Sequence, residues 1–345
     1  MKNKETTIHD IAEELSITAS TVSRALKDHP RISDSTKEQV IETAEKLNYQ
    51  PNNIAAALRK GKSNIIGVII PMADRNFFAS IIRGIEEVVN QAGYRVIISQ
   101  SNDSAEKEKQ NITALLESQV DGILASYAKE TTNFSHYEEI TKRNVPLILF
   151  DRLHETLESL EVESVVINDY LGAYKATEHL IEQGCRRIAH FSGYQQVSIY
   201  KERRRGYEEA LKRHNIPIDE DLIIESNLKL EAGRDLGRKV LSWDELPDAI
   251  FSASDYGAVG AMEVLKSSDI RIPEDIAIVG FLNEPFTSFV EPSLTTVDQH
   301  GERMGQIAAQ KYLDLMNKKK KNYAPSKTVL NPELIVRKSS LKDQS

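Results

Sequence analysis

The chain has 345 residues, too many for one ordinary hydrophobic core, so two or three folded units are expected. Its 40% hydrophobic and 28% charged content is that of a soluble globular protein, and no apolar stretch approaches the roughly 20 residues that span a bilayer, which argues against a membrane role. The formal net charge of −8 is unevenly placed: residues 1–62 carry ten Lys/Arg against nine Asp/Glu, and residues 63–345 carry 34 against 43. The acid therefore sits in the larger part, which leaves the small first segment able to meet a polyanion without by itself pointing to one. The opening Met1-Lys2-Asn3-Lys4-Glu5 lacks the apolar core of a secretory signal, and Cys185 is the only cysteine. Both suit a reducing cytoplasm and leave no internal disulfide or cysteine-clustered zinc site to expect.

Ile8, Ile11, Ala12 and Leu15 recur at helical spacing behind Thr7 as N-cap, with Asp10 in the first turn. A second helix is signalled by Thr18 as cap and by Val22, Ala25 and Leu26 as its buried face; Ser20, Thr21, Ser23 and Arg24 occupy the other face. A third follows Ser33, with Val40, Ile41, Ala44 and Leu47 as its stripe, and closes near Asn48-Tyr49-Gln50-Pro51 because the residue before a proline avoids the helical region. Three short helices with a tight turn between the first two predict an all-α helix-turn-helix domain over residues 1–49, whose second helix enters the major groove. Short hydroxyls let that helix approach the duplex, and Arg24 can donate two hydrogen bonds to a guanine edge. Taken alone, Thr21 and Ser23 could as well merely solvate an exposed face.

Residues 50–62 hold a proline-asparagine start, the alanine run Ala55-Ala56-Ala57 and the stop Gly61. That predicts a hinge helix of under three turns, too short to stand alone in water. From Asn64 onward, β-branched runs alternate with amphipathic stretches, the pattern of parallel α/β folding. Strands are expected at 65–70, 94–99, 122–125, 146–150, 165–167, 188–191, 249–252 and 276–279, and crossover helices at 79–91, 171–182, 204–214 and 259–266. The number of units suits two doubly wound lobes, with ligands received beyond the carboxyl ends of the strands. Phe77 and Phe78 could there cover a flat ligand face or simply pack a helix start; Asp151 could accept ligand hydroxyls or cap a turn.

The runs Thr7-Ile8-His9-Asp10-Ile11-Ala12, Ser20-Thr21-Val22-Ser23-Arg24-Ala25-Leu26 and Leu47-Asn48-Tyr49-Gln50-Pro51-Asn52, continuing through Ala55-Ala56-Ala57-Leu58-Arg59, resemble the headpiece of the lactose-repressor (LacI/GalR) family almost residue for residue. A looser resemblance extends over nearly the whole chain. It implies DNA contacts at Thr7, Ser20, Thr21, Ser23, Arg24, Asn52, Ala55 and Leu58, the last as a wedge that the paired hinge helices of a homodimer push into the minor groove of a near-palindromic operator. It also implies that the core, residues 63–345, has periplasmic-binding-protein-like lobes: an N-lobe of about 63–162 and 295–325 and a C-lobe of about 163–294 and 326–340. A small-molecule effector, carbohydrate-derived in such proteins, would sit between them.

On the same resemblance Arg203, three residues before Gly206-Tyr207, is the expected effector-contacting arginine, and Asp255 in Ser254-Asp255-Tyr256 the second-best acceptor. Asn283 and Gln299 complete the expected set with Phe77, Phe78 and Asp151. The chain departs from the family where Leu282 replaces a common acid and where Leu228 stands near the place of a stacking aromatic. Those departures make the pocket less acidic and suggest an anionic or less hydroxylated ligand. The lysine run 318–321 reads as a solvated helix end.

An enzyme is not expected. His154-Glu155-Thr156-Leu157-Glu158 lacks the second histidine of a zinc-protease helix, no phosphate-cradling glycine pattern follows the first core strand, and the histidines are scattered. No cofactor or metal is expected either. The reading is a DNA-binding transcriptional regulator, a repressor, controlled by an effector; the competing reading is a periplasmic-type ligand-binding module without DNA function.

Overall fold

The computed structural model describes residues 6–49, 62–317 and 324–342. The expected hinge helix, with Asn52, Ala55 and Leu58, and the lysine run 318–321 lie outside the described residues. The chain divides into two units between Ser63 and Asn64, each treated by itself.

The first unit holds α1 (Ile8–Glu14), α2 (Ala19–Ala25) and α3 (Asp34–Lys46). Each start is capped by the hydroxyl nearest it: Thr7 accepts from His9 N while Asp10 accepts from Thr7 N, Thr18 accepts from Thr21 N, and Ser33 from Thr36 N. Those bonds satisfy amides that the first turn of a helix leaves free. Ser16 takes a left-handed φ of 52°, which turns the chain sharply from α1 into α2. Ile11, Val22, Ala25, Val40 and Ala44 form the small core.

The second unit begins with β1 (Ile65–Ile70), α4 (Asn76–Gln91), β2 (Arg95–Gln100), α5 (Ala105–Glu117), β3 (Gly122–Ala125), α6 (Ser135–Lys142), β4 (Leu147–Phe150), α7 (Glu155–Glu158) and β5 (Glu163–Ile167). It continues with α8 (Asp169–Glu182), β6 (Ile188–Ser192), α9 (Ser198–Arg213), β7 (Ile223–Glu225), α10 (Leu230–Leu241), β8 (Ala249–Ser252), α11 (Asp255–Ser267) and β9 (Ala277–Val279). It closes with β10 (Thr296–Asp298), α12 (Gly301–Asn317), β11 (Lys327–Leu330) and β12 (Glu333–Ile335).

Two parallel sheets result, in the orders β11-β5-β4-β3-β1-β2 and β7-β6-β8-β9, with β10 and β12 as an antiparallel pair. Because helices cover both faces, the central strand Leu147–Phe150 is apolar and buried at every position. Ile66, Val68, Ile148 and Phe150 pack with residues of α4 and α12 on one face of the first sheet, while Ile69, Ile123 and Leu149 pack with residues of α5 and α6 on the other. Among the described residues, no helix is long and apolar enough to cross a membrane.

The lobe boundaries differ from those expected at 162, 295 and 326. β5 was to open the second lobe, yet it pairs with β4 and β11 in the first sheet, because Val165 and Ile167 complete the first lobe's apolar layer. The crossings therefore lie between Ile167 and Asp169, between Asp298 and Gly301, and between Leu330 and Glu333. At the second crossing α12 returns to the first lobe and meets α4 backbone to backbone. A β-carbon on Gly84 would stand 2.1 Å from the Glu302 carbonyl oxygen, and one on Gly305 2.1 Å from that of Ile81.

Candidate functional site

In the first unit the buried side of α2 is spent on Val22 and Ala25, which turns Ser20 and Arg24 to solvent and leaves Thr21 and Ser23 half-buried. The hydroxyls are already ordered: Thr18 Oγ1 lies 2.8 Å from Ser20 Oγ and 2.9 Å from Thr21 Oγ1. Thr7, expected at DNA, donates to Asp10 at 2.6 Å within its capping box, so its first role is local. Its hydroxyl nevertheless stands at a helix N-terminus, where backbone amides favour phosphate.

In the second unit a cleft of about 490 Å³ opens at the carboxyl ends of both sheets. Five of the seven expected effector residues line it: Phe77, Phe78, Asp151, Arg203 and Gln299. Phe77 and Phe78 occupy the first turn of α4, edge to face with centroids 5.2 Å apart. Asp151 follows β4 with a left-handed φ of 65°, and accepts the Ser126 hydroxyl at 2.8 Å. Burial pushes its carboxyl above the usual carboxylate range.

Arg203 is 2% exposed, and its direction is set from behind. Its Nε donates to Asp169 Oδ1 at 2.8 Å, Nη2 lies 2.8 Å from the same oxygen, and Nη1 donates to Ala253 O at 2.9 Å. The guanidinium also rests 3.8 Å from the Phe281 ring centre. One N–H on each terminal nitrogen is left for a ligand. Burial raises Asp169 to about 6 despite the charge of Arg203.

Gln299 lies at the second crossing, 1% exposed, with neither its amide nitrogen nor its oxygen hydrogen-bonded to protein. A buried amide with both ends unmet is costly unless something else meets it.

Two expected residues do not line this cleft. Asp255 is fully buried; its Oδ1 accepts the Thr296 hydroxyl at 2.6 Å and its Oδ2 the Glu284 amide at 2.9 Å. Burial holds its carboxyl up at about 7, and it fastens the segment after β9 to β10. Asn283 donates to Asp298 Oδ2 at 2.8 Å and accepts from Arg337 Nη2 at 2.9 Å, facing a separate polar cavity of about 400 Å³. Both side chains are used up at the lobe junction.

Sequence reasoning passed over Asp103, Lys129, Arg152 and Tyr200, which also line the cleft. Arg152 Nη1 donates to Asp103 Oδ1 at 2.6 Å and to Tyr127 O at 2.8 Å, while its Nε, 3.6 Å from Asp151, makes no hydrogen bond. Arg152 and Lys129 stand just beyond β4 and β3, so the strand-end rule that found Asp151 contained the signal for both. Leu228 and Leu282 form apolar wall.

Residues 7–52 match the family profile described as bacterial regulatory proteins, lacI family, and residues 177–340 that of a periplasmic binding protein-like domain. Catabolite control protein A of Priestia megaterium is 34% identical over 313 residues, 90% of this chain and 93% of that protein. Of solved structures, the lac repressor dimer bound to operator and the anti-inducer ONPF superposes with a TM-score of 0.84 at 27% identity, covering 98% of this chain and 100% of that one. The complex of the transcriptional regulator CelR with cellobiose superposes with a TM-score of 0.73 at 27% identity, covering 97% of this chain and 100% of that one.

Proposed function

Because the chain belongs to the lacI family of bacterial regulatory proteins, and so is a DNA-binding transcription regulator under ligand control, we propose that it represses from a near-palindromic operator as a homodimer and senses a small carbohydrate-derived molecule between its core lobes. The observation that carries the ligand half is Gln299, buried at a lobe crossing with both amide ends unmet. A molecule there touches both lobes at once, so it can favour one inter-lobe angle by its difference in affinity for the two. Arg203, Asp151, Phe77, Phe78 and Gln299 are its contacts. Ser20, Thr21, Ser23 and Arg24 read the major groove; Leu58, outside the described residues, is the minor-groove wedge.

The dimer is supported by apolar surface on the second unit. Phe289 is 81% exposed beside the Tyr256–Phe286 pair, and Ile97 and Ile98 are exposed on the edge strand β2. Such surface in a regulator reading two half-sites is matched by a second copy.

The deciding experiment is selection from random duplexes at fixed salt, with and without a panel of sugars, sugar acids, sugar phosphates and nucleobases. The expected outcome is one enriched palindrome whose occupancy responds to one compound class. Failure to enrich any sequence under any condition would overturn the reading.

A further inference from the structure

Tyr200 stands on α9 with its ring laid over Gly193, where a β-carbon would come within 2.4 Å of it. Two cations from opposite lobes flank that ring. Lys129 Nζ of the first lobe is 5.1 Å from the ring centre, and the Arg203 guanidinium carbon of the second is 5.6 Å from it. We propose that the effector carries an oxyanion, a carboxylate or phosphate group, which sits beside Tyr200 and bridges Lys129 to Arg203. This assignment rests on the ligand-controlled reading above and narrows its ligand class.

The charges on the cleft wall favour it. Five basic and three acidic side chains line the cleft. Two of the acids are already engaged: Asp103 by Arg152 at 2.6 Å and by the Lys129 amide at 3.1 Å, and Asp151 by the Ser126 hydroxyl at 2.8 Å. The Lys129 ammonium stays 3.8 Å from Asp103, outside hydrogen-bond distance, with its side chain 25% exposed.

Hydrogen-bonding capacity points the same way. The unmet buried atoms on the cleft residues are three donors, Arg75 Nη1, Arg152 Nε and Gln299 Nε2, against one acceptor, Gln299 Oε1. A sugar hydroxyl brings donor and acceptor together, whereas an oxyanion only accepts and complements a donor-rich wall. The Tyr200 phenol reports the local field. Burial opposes its ionisation, yet Lys129, Arg152 and Arg203 together hold it below its ordinary value. Burial raises Tyr207, which has no such ring of cations.

The bridge also supplies a closing force. An oxyanion between Lys129 and Arg203 is attracted to a cation of each lobe at once. A neutral ligand brings no such charge attraction. Affinity for the closed arrangement is therefore tied to the charge of the ligand.

The test is calorimetric titration of the full chain with glucose, glucuronate and glucose 6-phosphate at one ionic strength. At least one charged probe is expected to bind about tenfold or more tighter than glucose, the carboxylate and phosphate arms showing which oxyanion fits. Lys129→Gln should reduce the ratio of charged to neutral affinity by about tenfold, and Lys129→Arg should restore most of it. Glucose binding as tightly as its charged counterparts, no binding of any probe, or an unchanged ratio in Lys129→Gln overturns the assignment. The two readings fail separately: a neutral compound that shifts operator occupancy sinks the oxyanion alone, and an operator that responds to nothing sinks ligand control.

Discussion

Glu284 of the second lobe caps a helix of the first: its Oε2 accepts the Asn76 amide that opens α4, at 3.2 Å. The helix has no side-chain cap of its own, because Arg75 at the cap position offers no acceptor and instead lays its guanidinium 3.7 Å from the Tyr256 ring centre. Both contacts cross from lobe to lobe, so capping energy that elsewhere stabilises one helix here holds two lobes together. Glu284→Ala should cost about 1 kcal/mol in urea denaturation and shift the ligand-free scattering profile toward a more open core. Glu284→Gln, which keeps one acceptor, should recover most of the loss; an unchanged profile in Glu284→Ala would separate the cap from closure.

Arg203→Ala should abolish the effector response of operator binding while the headpiece still finds its operator. The substitution also strands Asp169 without its cation, so Arg203→Lys is the control that keeps the charge and loses the planar fork. A response as large as wild type in both variants would remove Arg203 from the ligand contacts.

Arg24→Ala should relax base preference at one position in each half-site, by about 1–3 kcal/mol, read from the selected sequences. Leu58→Ala should weaken specific binding far more than non-specific binding. Equal losses in the two would contradict a wedge that unstacks a base step.

The pH dependence of stability has two opposed parts. Burial raises Asp255 from its ordinary 3.8 to about 7 and Asp169 from 3.8 to about 6. Each takes up a proton on folding, so their contribution is complete below 3.8 and is lost as pH rises through about 6 and 7. Burial lowers His190, stacked between Tyr207 and Phe251, from 6.5 to about 4, so its contribution is complete above 6.5 and fades as pH falls toward 4. Asp255→Asn should flatten the decline of the thermal midpoint between about pH 5 and 7, and a variant that tracks wild type across that window would show that Asp255 does not titrate there.

Gly84→Ala should destabilise the core by more than about 1–3 kcal/mol, because the clash is with the Glu302 carbonyl, which is backbone and cannot rotate aside. Gly93→Ala meets no atom within 4 Å but sits at a φ of 81°, so its cost is backbone strain alone and should be the smaller. Chemical denaturation of the pair orders the two effects.

Local features were legible in the sequence. Thr7, Thr18 and Ser33 were read as caps or helix starts because a cap and its amide lie within three residues, and strands 65–70, 122–125 and 249–252 have the expected bounds because buried strands are unbroken apolar runs. Arg203 is expected only through the family resemblance of the segment that ends in Gly206-Tyr207, and Asp169, which aims it, lies 34 residues upstream, so that only the folded lobe joins them. β5 was misassigned because lobe membership is a matter of partner, and Val165 carries the same apolar signal in either sheet. Asp255 and Asn283 stand near strand ends as expected, but a carboxylate or amide can turn inward, and theirs do, toward Thr296, Asp298 and Arg337. Lys129 and Arg152 also follow strands, but a search of strand ends for hydroxyl acceptors does not pick out a cation.

The place of β11 bears on how the protein is made. Lys327–Leu330 pairs in parallel with a strand beginning near Ser164, so a ribosome synthesises every strand of the second sheet before the first can be finished. Through that interval the nascent chain presents the Ser164–Ile167 edge unpaired, with Val165 and Val166 ready to template a neighbour on a crowded polysome. Cotranslational folding of the first lobe therefore waits on the second, and a premature stop anywhere before residue 330 harms the part of the protein that was made first.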